Sequence, residues 1–310
     1  MRRRAARAVG ARALAAAAAP LVVAALALAG GATEARAQDV SVTAAALAGP
    51  RPIPGGPEPR AYLMTFGRGD AVWERYAHNA IVIHDPAGGP DVAYNWGEFD
   101  FRQPNFIGRF LTGDTRYAMH GRDAALMAEV YAREFNRAVY LQELALSPAQ
   151  LARLAALVRA NDTEGARYYR YDYYNDNCST RVRDALDAAL GGALRAQLAG
   201  RPAGTTWRDD TRRLNAGDPL LYTGIQLALG RPADRPLDRW AAAYLPMDLR
   251  AAVRGVRVPD AAGRPAPLVR AEYTLWDAPG RPPDPARAPT AWPWYLAAGA
   301  GLGAAFAALG

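Results

Sequence analysis

The sequence predicts an α+β fold on three observations. β-rich runs cluster between residues 60 and 96, apolar positions recur at helical spacing between residues 123 and 190, and turn residues separate the two kinds of segment. Of the 310 residues, 51% are hydrophobic and 22% charged, enough apolar material for one large core or two small ones. The aromatic content excludes a wholly disordered chain, and a single cysteine excludes a disulfide scaffold.

Residues 1–37 read as an export signal. Arg2, Arg3, Arg4, Arg7 and Arg12 form a positive start, residues 13–29 are apolar, and Ala35-Arg36-Ala37 matches a small-x-small cleavage pattern, so that the mature chain begins at Gln38. Six arginines against Glu34 place most of the formal charge of +7 in this segment. The remainder carries no concentrated basic stripe, which argues against a nucleic-acid partner. Residues 38–59 are rich in Pro and Gly and read as a linker or extended arm.

Strands are expected over residues 61–66, 78–84 and 92–96. The turn cluster at 85–90 joins the last two into a hairpin. Residues 123–137 have helical spacing through Leu126, Val130 and Phe135, and 139–146 read as a strand. Ser147, Pro148 and Gln150 supply an N-cap, a first-turn proline and a capping-box glutamine for a helix reaching Asn161. The tyrosine-dense stretch 168–174 is extended. Val182, Leu186 and Leu190 then mark a helix closed by Gly191-Gly192. Further helices are expected at 218–229 and 247–256. Residues 259–290 form a Pro/Arg-rich linker with one strand at 268–276. Residues 291–310 carry no charge and open with Trp292, Trp294 and Tyr295. About 20 residues at 1.5 Å rise cover roughly 30 Å, so a membrane segment is expected there.

The chemistry centres on the one thiol. Cys178 follows Asn177, a good N-cap, and so falls in the first turn of a helix, where unpaired N–H groups and the helix dipole favour a thiolate. Arg181 and Arg183 act in the same direction, and the same N–H groups can stabilise an oxyanion. Of three histidines, His78 opens a strand and is the candidate base; His84 and His120 read as turn or surface residues. Folding the hairpin about Gly88 puts residues 95–100 opposite His78. Asn95, Glu98 and Asp100 are all candidates to orient the base, a one-residue slip exchanges them, and Asp100 is preferred. Asn95, Asn177 and Arg181 are assigned to substrate binding. No HExxH or Cys/His cluster is present, so neither metal nor cofactor is expected.

The runs Tyr76-Ala77-His78-Asn79-Ala80-Ile81-Val82-Ile83 and Tyr94-Asn95-Trp96-Gly97-Glu98-Phe99-Asp100-Phe101 carry a family likeness. So do Pro104-Asn105-Phe106 and the block from Tyr171 through Asn177-Cys178-Ser179-Thr180 to Asp184. Together they resemble the Lnb N-terminal periplasmic domain family over roughly residues 60–255. The resemblance implies an exported domain attached to membrane helices and linked to lipoprotein N-acylation through a cysteine–histidine pair, here Cys178 and His78. The order of histidine strand before Asn-Cys helix is similar to circularly permuted papain-like folds of the NlpC type. The expected architecture is therefore an antiparallel sheet with a helix-start cysteine, extra helices and a C-terminal apolar segment, its catalytic domain spanning residues 60–258.

Three functions compete. A periplasmic acyltransferase anchored to the inner membrane would take an acyl chain from phospholipid onto Cys178 and pass it to an amine such as a lipoprotein N-terminus. An NlpC-type cell-wall amidase or peptidase would keep the dyad but need a polar groove. An envelope-assembly domain would need Cys178 packed away from His78.

Overall fold

The structure, a computed structural model, describes residues 49–99, 109, 114, 116–260 and 262–309. The export signal at 1–37, and its cleavage site, lie outside the described residues, as does Asp100. The chain divides into two compact units, one of Val40–Trp207 with Pro236–Pro283, the other containing Arg208–Arg235 and Asp284–Gly310.

The first unit is built on a seven-stranded, wholly antiparallel sheet. Its strands are β1 (Arg60–Phe66), β2 (His78–His84), β3 (Val92–Glu98), β4 (Arg116–Asp123), β5 (Val139–Leu144) and β6 (Tyr168–Arg170), with β11 (Val269–Trp276) added late. They lie in the order β11-β5-β1-β2-β3-β4-β6. Two small ribbons pair β7 (Pro202–Thr206) with β8 (Pro236–Asp238), and β9 (Arg257–Pro259) with β10 (Pro265–Pro267). Strand alternation sends Leu63, Ile81, Tyr94, Trp96 and Met119 to one face and Tyr62, Met64, Phe66, Ala80 and Val82 to the other. Both sets are buried, so the central strands read as continuous apolar runs.

The first face packs on α2 (Pro148–Asn161), α3 (Cys178–Ala189), α4 (Ala193–Leu198) and α8 (Pro246–Arg254). α2 starts as its sequence requires: Ser147 Oγ accepts from Gln150 N and the Gln150 side chain accepts from Ser147 N, 2.9 Å away. The second face is covered by α1 (Ala124–Glu129) and the π-turn Val130–Glu134 that follows it. Here the expected stripe is corrected. Asp123 caps the helix and sets its phase, so Ala124, Met127, Ala128 and Ala132 are buried while Leu126 and Phe135 are exposed. The π-turn, one residue wider than an α-turn, moves the chain off 3.6 periodicity.

The strand expected at 268–276 forms, but as the sheet edge beside β5, so that part of the Pro/Arg-rich stretch belongs to the core. The described part of the arm at 38–59 runs extended and is pinned: Arg51 N donates to Leu275 O at 2.8 Å, Tyr62 OH donates to Pro54 O, and His84 Nε2 donates to Gly56 O at 2.9 Å.

The second unit contains residues 208–214 of α5 (Trp207–Leu214), α6 (Pro219–Ala228) and α9 (Trp292–Leu309); the remaining helix, α7 (Arg239–Ala242), belongs to the first unit. α9 gives no support to the expected membrane segment or to the inner-membrane anchor drawn from it. Its residues begin Trp-Pro-Trp-Tyr and include Gly299, Gly301 and Gly303, and among the described residues no helix is long and apolar enough to cross a membrane. The helix nevertheless leaves Trp294 79% and Phe306 74% exposed, and α6 leaves Leu227 84% exposed.

Candidate active site

His78 takes its place through a strained entry. The short turn Val72–Glu74 leads to Ala77, whose φ of 68° is left-handed without being glycine, and β2 starts at the next residue. His78 stands opposite Phe66 of β1, its ring 6.0 Å from that of Phe66 and 6.1 Å from that of Tyr131, nearly parallel to the latter. Hairpin register places Asn95 opposite Ala80, on the same face as His78 and one pair further along. His78 Nε2 and Asn95 Oδ1 are hydrogen-bonded. Asn95 Nδ2 donates to Glu98 Oε1 at 3.1 Å, and Glu98 is gripped by Arg122 through Nε (3.1 Å) and a second nitrogen (2.6 Å).

This line settles the tautomer. Asn95 gives its N–H to Glu98, so its carbonyl faces the ring and Nε2 must carry the proton, leaving the lone pair on Nδ1. Burial pushes His78 down from an ordinary 6.5 to about 4, against the upward pull of the Asn95 hydrogen bond, and the imidazole is neutral. Asn95, expected among the substrate contacts, is thus the residue that holds the histidine.

Cys178 is placed by its cap. Asn177 Oδ1 accepts from Thr180 N at 2.9 Å, while Asn177 Nδ2 donates to Tyr173 O at 2.8 Å and Tyr244 O at 3.0 Å. Both amide hydrogens of Asn177 are thus engaged in holding the helix start. Ser179 Oγ donates to Ala243 O at 2.8 Å and accepts from Asn79 Nδ2 at 3.2 Å, tying the same turn to β2. Asn177→Ala is expected to destabilise the fold by about 3 kcal/mol, from loss of the cap and of the donor to two carbonyls, one buried and one part-buried. Urea unfolding with a loss under about 0.5 kcal/mol, the usual size of a neutral surface change, would contradict this.

The thiol differs from its expected state. Burial pushes Cys178 up from 9.0 to about 11, outweighing the backbone N–H groups of Asn79, Ser179 and Cys178 itself, which point at the sulfur, and the positive charge of Arg137. The helix start does lower the thiol, but enclosure at 9% exposure decides the balance. The two expected cations are occupied elsewhere. Arg181 pairs with Asp176 and lies over the Tyr169 ring, and Arg183 binds Asp184 and Trp240 O. The cation acting on the sulfur is Arg137, only 3% exposed, donating to Gly67 O at 2.7 Å and lying 4.7 Å from the Tyr131 ring centre. Nothing in the local sequence around Cys178 signals it.

Gly97 brings the groups together. It occupies a bulge between Trp96 and Glu98 with φ +98°, and a Cβ there would stand 3.5 Å from Cys178 Cβ, 3.9 Å from His78 Cε1 and 4.0 Å from Tyr169 OH. The thiol and imidazole therefore border one small space that only glycine leaves open. His84 is instead bound to Asp91 Oδ1 at 2.6 Å, while His120, opposite Asn95 in the sheet, is bound to Arg167 at 2.8 Å and lies 3.9 Å from Glu98 Oε2. Among the described residues no group of three His, Cys, Asp or Glu could hold a metal ion.

A buried helix-start thiol, a neutral imidazole held through an amide, and an antiparallel sheet carrying the imidazole define a class: an α+β domain able to support nucleophilic thiol chemistry. Residues 58–216, just over half of the chain, match the family described as the Lnb N-terminal periplasmic domain, and the chain belongs to that family. Its place is accordingly the periplasm. No curated protein and no solved structure matches the chain.

Proposed function

We propose that this domain is a cysteine acyltransferase that moves an acyl chain from phospholipid through a Cys178 thioester to an amine such as a lipoprotein N-terminus. The observation that carries this reading is the meeting of Cys178 and His78 at Gly97, with Asn95 and Glu98 ranked behind the histidine. His78 Nδ1 takes the thiol proton as sulfur attacks the ester carbonyl, and the carbonyl π pair moves onto oxygen. Collapse expels the lysophospholipid alkoxide, which collects that proton from His78, and leaves the thioester. An amine then attacks; the C–N bond forms, the C–S bond breaks, and the amine proton returns through His78 to the thiol.

The neutral resting pair suits this order, because the proton moves only as substrate arrives. The ranking of thiol, imidazole and amide is that of papain-like enzymes, and supports a permuted core of that type. It would serve a cell-wall amidase equally. Exposed Trp294, Leu227 and Phe306 favour the lipid reading, since such side chains suit contact with a bilayer surface. The test incubates the protein with acyl-labelled phosphatidylethanolamine vesicles. A label on Cys178 that neutral hydroxylamine releases is expected. Hydrolysis of peptidoglycan fragments with no lipid-derived label would establish the amidase instead.

A further inference from the structure

Among the described residues, Tyr169 has no hydrogen-bond partner for its hydroxyl. It sits in β6, which pairs with β4 through Tyr117, and its ring is clamped between the Arg181 guanidinium at 4.3 Å and the core. The side chain is buried, and its OH makes no hydrogen bond to any described residue. A buried donor of this kind normally finds an acceptor within the protein. The OH instead ends 4.0 Å from the point where Cβ of residue 97 would stand, the same point that Cys178 and His78 border. A nucleophile, a base and an unused donor thus surround one space.

We propose that Tyr169 is a catalytic residue, its O–H donating to the oxyanion that forms when Cys178 attacks an ester carbonyl. This deepens the reading above and rests on its thioester step. The chemistry leaves the phenol unchanged. As the S–C bond forms and the thiol proton passes to His78, the π pair becomes an oxyanion lone pair that accepts from Tyr169; collapse restores the carbonyl and expels the alkoxide. Burial holds the phenol well above its ordinary 10.0, so it remains a donor throughout the working pH range. The substrate class follows: a carbonyl bearing a leaving group, its oxygen seated in the space opposite Gly97 that Tyr169 OH borders.

The experiment follows p-nitrophenyl butyrate acylating Cys178, because this ester needs no lipid recognition. Tyr169→Phe is expected to lower the acylation rate constant by about 10²–10³-fold with little change in KM. Alkylation of Cys178 by iodoacetamide, which forms no oxyanion, is expected to stay within about threefold of the parent. Thermal stability is expected to be unchanged or higher, since an unsatisfied buried hydroxyl is removed. A 3-fluorotyrosine at position 169 keeps the ring and the donor and is expected to retain most of the rate. Acylation of Tyr169→Phe at the parental rate would overturn the proposal, as would an equal loss in alkylation. If the parent protein accepts the butyryl ester but never label from phospholipid, the lipid reading fails and Tyr169 keeps its role. A parent thiol that no ester acylates removes both.

Discussion

Acylation of Cys178 is expected to fall by about 10²–10⁴-fold in His78→Gln, the usual effect of removing a general base. The thiol makes this loss large. At about 11, Cys178 is almost entirely protonated at neutral pH and depends on a base to take its proton during attack. The acid limb of the wild-type rate is expected close to pH 4, where His78 gains its proton, rather than near the ordinary 6.5. Stability should follow the same group. With the folded value depressed, the neutral form favours the fold; its contribution is complete above about 6.5 and is lost as pH falls towards 4. At about 1.4 kcal/mol per unit, the loss reaches about 3 kcal/mol. Urea midpoints at pH 7 and pH 4.5 should therefore separate for the wild type and draw together for His78→Gln. An activity limb at 6.5, or equal acid sensitivity in the two proteins, would show that His78 is not the enclosed neutral base.

Gly97→Ala is expected to reduce acylation at least 10²-fold, for a reason independent of proton transfer. The added methyl would occupy the space between Cys178, His78 and Tyr169, and displacement of a reacting carbonyl by an ångström is enough for such a loss. The substitution also forces an L side chain to φ +98°, costing about 1–2 kcal/mol. Gly89→Ala separates the two effects. Gly89 has φ +95° and nothing within 4 Å of a new Cβ, so it carries the same backbone strain away from the site. Comparable thermal shifts in both variants, with acylation lost only in Gly97→Ala, is the expected result. Equal acylation rates in the two would mean that the space opposite Gly97 is not where the acyl group sits.

Much of the framework was legible because it is local. Asn177 before Cys178 and Ser147-Pro148-Gln150 before α2 act on backbone groups three residues away, so their geometry follows from adjacent residues. The turn at 85–90 likewise brought His78 near the region of Asn95. Its register, one residue from the sequence estimate, pairs Asn95 with Ala80 on the His78 face, and that places the Asn95 amide against the ring. Arg137, Gly97 and Tyr169 lie in different elements from the cysteine they border, and only the folded sheet brings them to it. The protonation states were decided at the same level. A helix start lowers a thiol wherever it occurs, whereas desolvation depends on every element packed around the sulfur. The apolar C-terminal run shows the same division: composition made it a helix, but its glycines and its Trp-Pro-Trp-Tyr start keep it less apolar than a membrane span. Local hydrogen bonding is written in neighbouring residues; enclosure and convergence belong to the packed chain as a whole.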